Sequence, residues 1–268
     1  MVYINENKLN KGYINEYNKA YIGDKLLYWN ADKYNEGGGE EPDAPSDFVS
    51  DFTFNYNFNY YDETTQIVPN YPKGSLDNDL KLLSPSSIIK PTFGNDGTNK
   101  YIEVSNGYGY GIFNFNTTDN NPFNRSGNEP FTVIYKTKGG SGADLISNRS
   151  SVSNYNWMVR QYSTRATLHL SGGELGRIET DSSVPNVIAI TYDGLNLSYY
   201  NLSKNTEATT MQINKWANKS TFVVFFGSMY NGIGTLTEKW SGQCYWMFHS
   251  NRILSKDEIL KVANYNGM

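Results

Sequence analysis

The side chains that most often act as catalysts are scarce in this sequence, and their surroundings do not favour catalysis. The chain has two histidines and one cysteine. His169 and His249 each lie in a segment that alternates between apolar and polar residues, which is typical of a β-strand. No G-x-S-x-G motif is present, no His or Cys pair has zinc-site spacing, and Cys244 has no neighbouring base. We therefore interpret both histidines as structural residues and the cysteine as a buried thiol.

Several loop-like segments carry the oxygen-bearing side chains that calcium prefers as ligands. These groups are Asp62 with Glu63, Asp77 with Asp79, and Asp119 with Asn120 and Asn121. None of them has a diagnostic calcium-loop spacing, and acidic residues in loops are usually just solvated. No cofactor is therefore predicted, and a bound calcium ion stays an open alternative.

Tyrosines beside glycine and asparagine suggest a second kind of chemistry, which is sugar binding. Aromatic rings can stack on sugar rings, while Asn side chains and exposed Gly backbone can bind hydroxyl groups. The segments 106–111 (NGYGYG) and 230–232 (YNG) have this composition, and loops carry binding more often than strands do. The alternative is that each tyrosine is a half-buried strand residue in a Tyr-rich protein. The candidate sugar-binding residues are Tyr108, Tyr110, Tyr230, Asn231, Arg149 and Trp216.

Composition favours an all-β protein and argues against nucleic acid as a partner. The 268 residues include 22 Tyr, 13 Phe and 24 Gly, which suit pleated strands and turns. The net charge is −4 and no Lys/Arg block is present. No run of about 18 apolar residues exists, so no membrane span is predicted. The first residues lack an apolar signal core, so classical secretion is not predicted.

The start of the chain predicts a small β-rich leader and a flexible linker. Residues 3–6 (YINE) recur as 13–16 and more loosely as 21–24 (YIGD), and each unit places an aromatic and a β-branched residue beside turn formers. A leader this short cannot bury a core alone, so we expect a partner or further copies to order it. The Gly-, Pro- and acid-rich segment has linker composition. The predicted organisation is leader 1–34, linker 35–47 and a main domain 48–268.

From Phe48 onward, strand-like segments recur at close intervals with very little helix-like sequence. Residues 48–58 alternate aromatic and polar residues, which predicts a strand with one buried face. Asp193-Gly194 separates two alternating segments and predicts a hairpin with a two-residue turn, with Leu195 on its buried face. Residues 221–227 are apolar on both faces and predict a central core strand. This spacing is typical of a two-sheet sandwich.

Residues 240–265 predict a buried strand that leads into a short helix. Strict alternation would place Cys244, Trp246 and Phe248 on one face of the strand and the odd-numbered residues on the other.

The helix has a complete start signal. Ser255 is the predicted N-cap, Glu258 completes a capping box, and Leu254 and Ile259 flank the box as a hydrophobic staple. A helix this short is marginal alone, so it must pack against the main domain.

The order of these motifs resembles the C-terminal half of concanavalin A-like jelly-roll modules, in particular the laminin-G-like lectin type. The resemblance rests on the Tyr192-Asp193-Gly194 hairpin, the strand ending in Phe226-Gly227, Trp240-x-Gly242, and residues 251–259 (NRILSKDEI). It covers residues 130–265 and is only topological over 48–129. It implies an all-β, two-sheet antiparallel jelly-roll sandwich with one short C-terminal helix.

Some relatives of this fold are glycosidases that carry E-x-D-x-x-E on one strand. Here Glu179 and Asp181 are expected to share a strand face, but Val184 stands where the acid/base Glu is required. Retaining hydrolysis needs two carboxyl groups in two roles. The resemblance therefore predicts a lectin-like protein that is not an enzyme.

Residues 21–25 (YIGDK) resemble N-terminal segments of virion proteins from tailed, crAss-like bacteriophages. This resemblance implies a head or tail fibre on the virion surface, typically a homotrimer, which binds capsid or tail proteins through its leader and host-surface or environmental glycans through its lectin-like domain. A carbohydrate-binding module of a bacterial surface protein and a decoration protein without sugar binding are the alternatives. The candidate attachment residues are Tyr13, Tyr21, Ile22 and Trp29.

Overall fold

The computed structural model describes most of the chain beyond residue 47 and three short strands before it. The described residues are 12–14, 19–22, 25–29, 48–76, 78–83, 92–105, 110–149, 155–170, 173–212, 219–227 and 238–268. The chain divides into two compact units, Met1–Asp47 with Asp62–Thr65, and Phe48–Tyr61 with Gln66–Met268.

The described strands of the first unit form a three-stranded antiparallel sheet. The strands are β1 (Gly12–Ile14), β2 (Lys19–Ile22) and β3 (Lys25–Trp29). Tyr13 pairs with Tyr21, Ile22 with Lys25, and Lys19 with Trp29. The candidate attachment residues therefore all lie in this sheet, and their role in attachment stays a prediction.

Strands make up almost all of the regular secondary structure that the structure describes in the second unit. The strands are β4 (Phe52–Asn57), β5 (Ile67–Val68), β6 (Leu80–Leu83), β7 (Thr92–Asn95), β8 (Lys100–Val104), β9 (Tyr110–Asn114), β10 (Phe131–Lys138), β11 (Ala143–Arg149), β12 (Tyr155–Gln161), β13 (Arg165–Leu170), β14 (Gly173–Glu179), β15 (Asn186–Tyr192), β16 (Asn196–Asn201), β17 (Thr206–Gln212), β18 (Phe222–Phe225) and β19 (Gly242–Ser250). A 3-10 turn (Phe58–Tyr60) follows β4, and helix α1 (Lys256–Tyr265) follows β19.

These strands form two eight-stranded antiparallel sheets. The first has the order β17-β16-β15-β10-β19-β8-β7, and β4 also pairs with β19. The second has the order β14-β13-β12-β11-β18-β9-β6-β5. The structure confirms the predicted all-β, jelly-roll sandwich with one short helix near the end of the chain. No helix among the described residues is both long and apolar enough to cross a membrane.

The main core lies between the two sheets. Tyr135, Ile188 and Met247 from the first sheet and Trp157 and Leu168 from the second belong to one cluster of fully buried side chains. The apolar segment predicted as a central strand is β18, which is buried throughout and lies between β11 and β9. Burial of this many large side chains is the main term that stabilises the sandwich.

A β-bulge in β19 changes which of its residues reach that core. The register with β10 skips Tyr245, which makes it the extra residue of the bulge. As a result, Cys244 and Met247 belong to the core between the sheets, while Tyr245, Trp246 and Phe248 belong to a second cluster together with α1. The predicted strict alternation along this strand is therefore wrong.

Helix α1 covers the outer face of the first sheet and begins as predicted. Ser255 Oγ accepts a hydrogen bond from the Glu258 N–H, and the Glu258 carboxylate accepts one from the Ser255 N–H at 2.8 Å, which completes the capping box. Leu254 and Ile259 are both buried in the cluster beneath the helix. The helix is therefore held by its cap at one end and by apolar packing along its length.

Strand β4 is buried on both faces, so the predicted single buried face is wrong. The C-cap residue of α1, Asn266, contacts the polar side of this strand. The Asn266 side-chain oxygen accepts hydrogen bonds from the amides of Asn55 and Asn57, each at 3.1 Å. The Asn266 amide donates to Asn55 Oδ1 at 2.9 Å. Asparagines that look solvent-facing in the sequence are therefore paired in the interior.

The β15–β16 hairpin forms as predicted, but with a wider loop. Tyr192 pairs with Leu197, so the loop consists of residues 193–196. The Asp193 carboxylate accepts hydrogen bonds from the backbone N–H groups of Leu195 and Asn196, at 2.8 and 2.6 Å, which stabilises the wider loop. Leu195 is 49% exposed, and its predicted place on the buried face is wrong.

Replacing Asn266 with Ala is expected to lower the free energy of unfolding by about 1–3 kcal/mol, because it leaves buried amides of Asn55 and Asn57 without their partner. Urea denaturation followed by tryptophan fluorescence measures the change. The matched control is Asn264→Ala, which removes an exposed amide from the same helix. Equal stability of the two variants would contradict the role of Asn266.

Candidate functional site

Most of the predicted sugar-binding residues cannot be placed in the fold. Tyr108, Trp216, Tyr230 and Asn231 lie outside the described residues. Tyr110 is the first residue of β9 and pairs with Leu83, while Arg149 is the last residue of β11 and pairs with Tyr155. Both thus lie in strands of the second sheet. The predicted role of all six in sugar binding stays a prediction.

Two of the predicted calcium ligands are engaged in local hydrogen bonds. The Asp62 carboxylate accepts hydrogen bonds from the Thr64 N–H at 2.9 Å and the Thr65 hydroxyl at 2.8 Å. The Asp79 carboxylate accepts one from the Asn70 N–H at 3.0 Å. Asp77 lies outside the described residues. Within the described ranges, no cluster of three or more His, Cys, Asp or Glu side chains could hold a metal ion.

The third group of predicted calcium ligands, Asp119 with Asn120 and Asn121, does not direct its oxygen atoms at one position. The Asp119 side chain is 84% exposed and pairs with Lys219 at 3.5 Å. Asn121 is buried, and its amide donates to Asn148 Oδ1 at 3.2 Å and to the Ser220 carbonyl at 2.9 Å. Asn121 therefore fixes the loop before β10 to the ends of neighbouring strands.

The carboxylates considered for glycoside hydrolysis do not form a pair. Glu179 ends β14, whereas Asp181 lies in the turn that follows, so the predicted shared strand face is wrong. The Asp181 carboxylate accepts hydrogen bonds from the Ser183 N–H and hydroxyl, at 2.9 and 2.6 Å. These bonds lower the pKa of Asp181. Val184 is 46% exposed and offers no acid.

His249 is buried in the core and makes internal hydrogen bonds, which fits the predicted structural role. Its Nε2 lies 3.5 Å from Arg125 Nη2 and its Nδ1 lies 2.8 Å from Thr53 Oγ1. Because a guanidinium only donates, Nε2 is the acceptor and Nδ1 carries the proton that it donates to Thr53. The ring stacks on Trp157 with an interplanar angle of 3°. Burial, and secondarily the Arg125 charge, lower the pKa of His249 well below its usual value.

Arg125 is a buried cation that the sequence does not reveal. It donates hydrogen bonds to the carbonyls of Pro122 and Asn124, both at 2.9 Å, and to Asn251 Oδ1 at 2.6 Å. It also lies 5.3 Å from the ring centroid of Phe131. Burial lowers the pKa of Arg125 to about 10, so the side chain stays charged at neutral pH. Its contacts are internal and indicate a structural role.

The strongest candidate site is the outer face of the second sheet, meaning the face turned away from the core. Strand register places six residues from six strands side by side on this face. In order across the sheet, these residues are Glu174, His169, Met158, Ser147, Val224 and Ile112. We call this set the outer row. A shorter parallel row beside it consists of Arg177, Thr167, Arg160 and Asp144.

Three polar side chains in these two rows are buried without a hydrogen-bond partner. They are the Ser147 hydroxyl, the Thr167 hydroxyl and Nε2 of His169. Ser147 and Thr167 are fully buried, and His169 is 7% exposed. A buried polar group without a partner costs about 1–3 kcal/mol. Native proteins usually avoid this cost, so three such groups on one face are unusual, and the rest of the chain covers them.

Two of the arginines around these groups are paired with carboxylates. Arg160 Nε bonds the buried Asp144 carboxylate at 2.7 Å, and its Nη2 lies 3.4 Å from the Glu238 carboxylate. Arg165 Nε lies 3.5 Å from the Glu174 carboxylate. Burial and then the charges of Arg160 and Arg165 lower the pKa of His169 to about 4. His169 is therefore neutral at pH 7 and can accept or donate a hydrogen bond.

The outer face is not apparent in the sequence because its residues come from separate strands. The local signal was the alternation Thr167-Leu168-His169-Leu170, which places two polar residues on one face of β13. Nothing in that segment shows which residues of β11 and β12 lie beside them. The face combines hydroxyl, imidazole and apolar groups, and such a set suits a ligand that carries both hydroxyl groups and C–H surfaces.

No known protein family matches the chain, and no curated protein sequence matches it. Solved structures do share its architecture. A structure described as "Cell entry of botulinum neurotoxin type C is dependent upon interaction with two ganglioside molecules" has a TM-score of 0.54 and 11% identity, over 81% of this chain and 52% of that chain. The botulinum neurotoxin serotype C1 binding domain has a TM-score of 0.52 and 14% identity, with the same coverage.

A smaller module is also similar in part. The Ruminococcus gnavus IT-sialidase CBM40 bound to α2,3-sialyllactose has a TM-score of 0.40 and 16% identity, over 51% of this chain and 83% of that chain. This chain thus spans about half the length of the neurotoxin structures. At these levels of identity, the neurotoxin similarities show a shared β-sandwich fold.

Acidification from pH 6.5 to 4.5 is expected to lower the free energy of unfolding. Both histidines are held neutral in the fold, so the unfolded chain binds more protons in this range and stability falls as the pH falls. Each histidine contributes up to about 1.4 kcal/mol per pH unit. Urea denaturation at several pH values measures the slope.

Two variants separate the contributions of the histidines. His249→Gln and His169→Gln should each remove about half of the slope, since the chain has only these two histidines. Carboxylates with a lowered pKa, such as Glu129 at about 2, begin to lose their contribution near pH 5, where the unfolded chain starts to protonate them, so the histidine slopes are compared between pH 6.5 and 5.5. An unchanged slope in both variants would contradict the prediction.

Proposed function

We propose that the β-sandwich binds glycans and catalyses no reaction. The observation that carries this proposal is the set of unpartnered Ser147, Thr167 and His169 groups on the outer face of the second sheet. Each can donate or accept a hydrogen bond, as a sugar hydroxyl can, and apolar Met158 and Val224 lie in the same row. Sugars present the same mixture of hydroxyl groups and C–H surface.

The fold similarities support a binding role. The neurotoxin structure with a TM-score of 0.54 is described by the statement that cell entry of botulinum neurotoxin type C depends on interaction with two ganglioside molecules, which are glycolipids. That statement concerns the neurotoxin. For this chain we propose only that its β-sandwich also recognises glycans. The predicted loop residues, including Tyr108 and Tyr230, would add to the same function. A bound calcium ion, which stays an open alternative, would belong to the acidic loops at Asp62, Asp77 and Asp119.

The absence of a carboxylate pair around Glu179 supports a role without catalysis. Asp181 is held in a turn by Ser183, and Val184 replaces the acid that the related glycosidases use. Retaining hydrolysis needs both a nucleophile and an acid/base. Bound glycans would therefore be released unchanged.

We further propose that the protein is displayed on the surface of a tailed bacteriophage as a head or tail fibre. The support is the YIGDK resemblance in the leader and the linker composition of residues 35–47. The leader sheet would attach to capsid or tail proteins. A homotrimer would present three weak glycan sites together and so gain strength through avidity.

A glycan array with purified protein tests the binding function. We expect signals on host-surface polysaccharides that soluble glycan competes away. Measuring with calcium and with a chelator shows whether an ion takes part. Silence across the array in both conditions would overturn glycan binding and favour a decoration protein.

Mass spectrometry of purified virions tests the location. We expect peptides of this chain at a copy number that is a multiple of three, because the proposed fibre is a trimer. Its absence from virions, together with its detection on bacterial cell surfaces, would instead support the carbohydrate-binding module of a surface protein.

A further inference from the structure

Helix α1 is followed by an Asn-Gly pair, Asn266-Gly267, in which the asparagine side chain is fully engaged inside the fold. Asn266 is 1% exposed, and its side-chain oxygen accepts hydrogen bonds from the amides of Asn55 and Asn57, each at 3.1 Å. Its amide donates to Asn55 Oδ1 at 2.9 Å and to the Val262 carbonyl at 3.0 Å. Both donors and both acceptor positions of this side chain are therefore used.

Gly267 is held through both of its backbone polar groups. Its N–H donates a hydrogen bond to the Asn264 carbonyl at 3.2 Å. Its carbonyl accepts hydrogen bonds from Lys136 Nζ at 2.6 Å and from the Asn99 amide at 3.3 Å. Its φ of +80° lies in the left-handed region, and a Cβ at this position would approach Asn99 Oδ1 to 2.5 Å. The fold therefore requires glycine directly after Asn266.

An Asn-Gly pair is also the sequence in which an asparagine most readily loses its side-chain amide. The backbone nitrogen of the glycine attacks Cγ of the asparagine, so that a new N–Cγ bond forms. The Cγ–Nδ2 bond breaks, and the amide leaves as ammonia with the proton of the attacking nitrogen. Water then opens the five-membered succinimide ring to give aspartate or isoaspartate. Glycine favours the attack because it has no Cβ to hinder its own nitrogen.

The folded conformation prevents this attack at Asn266. As the C-cap of α1, Asn266 has a ψ of 5°, which turns the Gly267 nitrogen away from the Asn266 side chain. The N–H that must lose its proton is bonded to the Asn264 carbonyl. Ring closure needs a rotation between Asn266 and Gly267 that breaks the hydrogen bonds of Gly267 to Lys136 and Asn99. The reaction therefore requires opening of this segment.

The products of the reaction do not fit the place that Asn266 occupies. An aspartate has no N–H groups for Asn55 Oδ1 and the Val262 carbonyl, and it places a buried negative charge against both oxygen atoms. An isoaspartate adds one carbon atom to the backbone and so shifts the Gly267 carbonyl from its position beside Lys136. Either product therefore lowers the stability of the fold.

From these observations we propose that Asn266 is a modification site that folding controls. It deamidates in the unfolded chain, it is protected in the native protein, and once converted it hinders the return to the native state. Unfolding of the second unit thereby becomes irreversible with time, at a rate set by the chemistry of one residue pair. This inference concerns the lifetime of the folded protein and does not depend on glycan binding.

The first test measures conversion at Asn266 by mass spectrometric peptide mapping, in native protein and in protein unfolded in guanidinium chloride at the same mildly alkaline pH. We expect conversion to be at least about tenfold slower in the native protein, because it requires opening of the segment. The pairs 106–107 and 231–232 are also Asn-Gly and report whether the unfolding conditions permit the reaction. Equal rates at Asn266 in both states, or no conversion there while the other pairs convert in denaturant, would overturn the inference.

The second test introduces the product directly with the variant Asn266→Asp. The matched control is Asn264→Asp, which adds the same charge at an exposed position of the same helix. We expect the folding equilibrium constant of Asn266→Asp to be at least about tenfold smaller than that of the control, because buried acceptors lose their donors. Failure of Asn266→Asp alone to fold would be the extreme form of this result. Equal stability of the two variants would overturn the claim that conversion hinders folding.

The third test uses the wild-type chain and so does not depend on any variant. Protein aged in guanidinium chloride is diluted into native buffer, and size-exclusion chromatography separates the refolded fraction from the fraction that does not refold. We expect the second fraction to grow with ageing time and to be enriched in the converted form of Asn266. Equal conversion of Asn266 in both fractions would overturn the inference.

Discussion

Strand β19 forms backbone hydrogen bonds with three other strands, and most of the second unit is built around that pairing. On one side it pairs with β10, and on the other it pairs with β4 over residues 246–250 and with β8 over residues 242–244. Seven of its nine residues are buried. One face packs against the second sheet and the other against α1, so the two apolar layers of the domain meet at this strand. Because β19 is buried on both faces, it needs its neighbouring strands, the second sheet and α1 to cover it.

Local sequence signals were sufficient to predict those elements whose geometry depends only on residues close by in the sequence. The capping box at Ser255 and Glu258 works within one turn, and the hairpin at residues 193–196 needs only a short flexible connection. Two of the errors arose where a distant part of the chain decided the result. Tyr245 is the extra residue of a β-bulge, which is set by the pairing of β19 with β10. Asn55 and Asn57 of β4 are buried and bonded to Asn266, near the other end of the domain sequence. Alternation alone cannot reveal either partner.

The candidate site shows the same limit more strongly. Ser147, Thr167 and His169 are unremarkable in sequence, since hydroxyl residues and a lone histidine occur in many strands. Their importance comes from the register of three strands, which puts them on one face, and from the lack of any internal partner. Sequence patterns for sugar binding favour aromatic residues in Gly-rich loops. Such patterns cannot show which buried polar groups lack a hydrogen-bond partner in the folded protein.

The pairing of β19 with β4 joins segments from opposite ends of the second unit, and this has a consequence for how the chain folds. During synthesis, β4 and β8 are made early, yet their shared partner appears only when residues 242–250 emerge. Until then one side of β10 also lacks its neighbour, so unpaired strand edges and apolar surface are exposed together. Contacts this distant in sequence form slowly and leave incomplete chains prone to aggregation. The first sheet therefore closes only after residues 242–250 have been made.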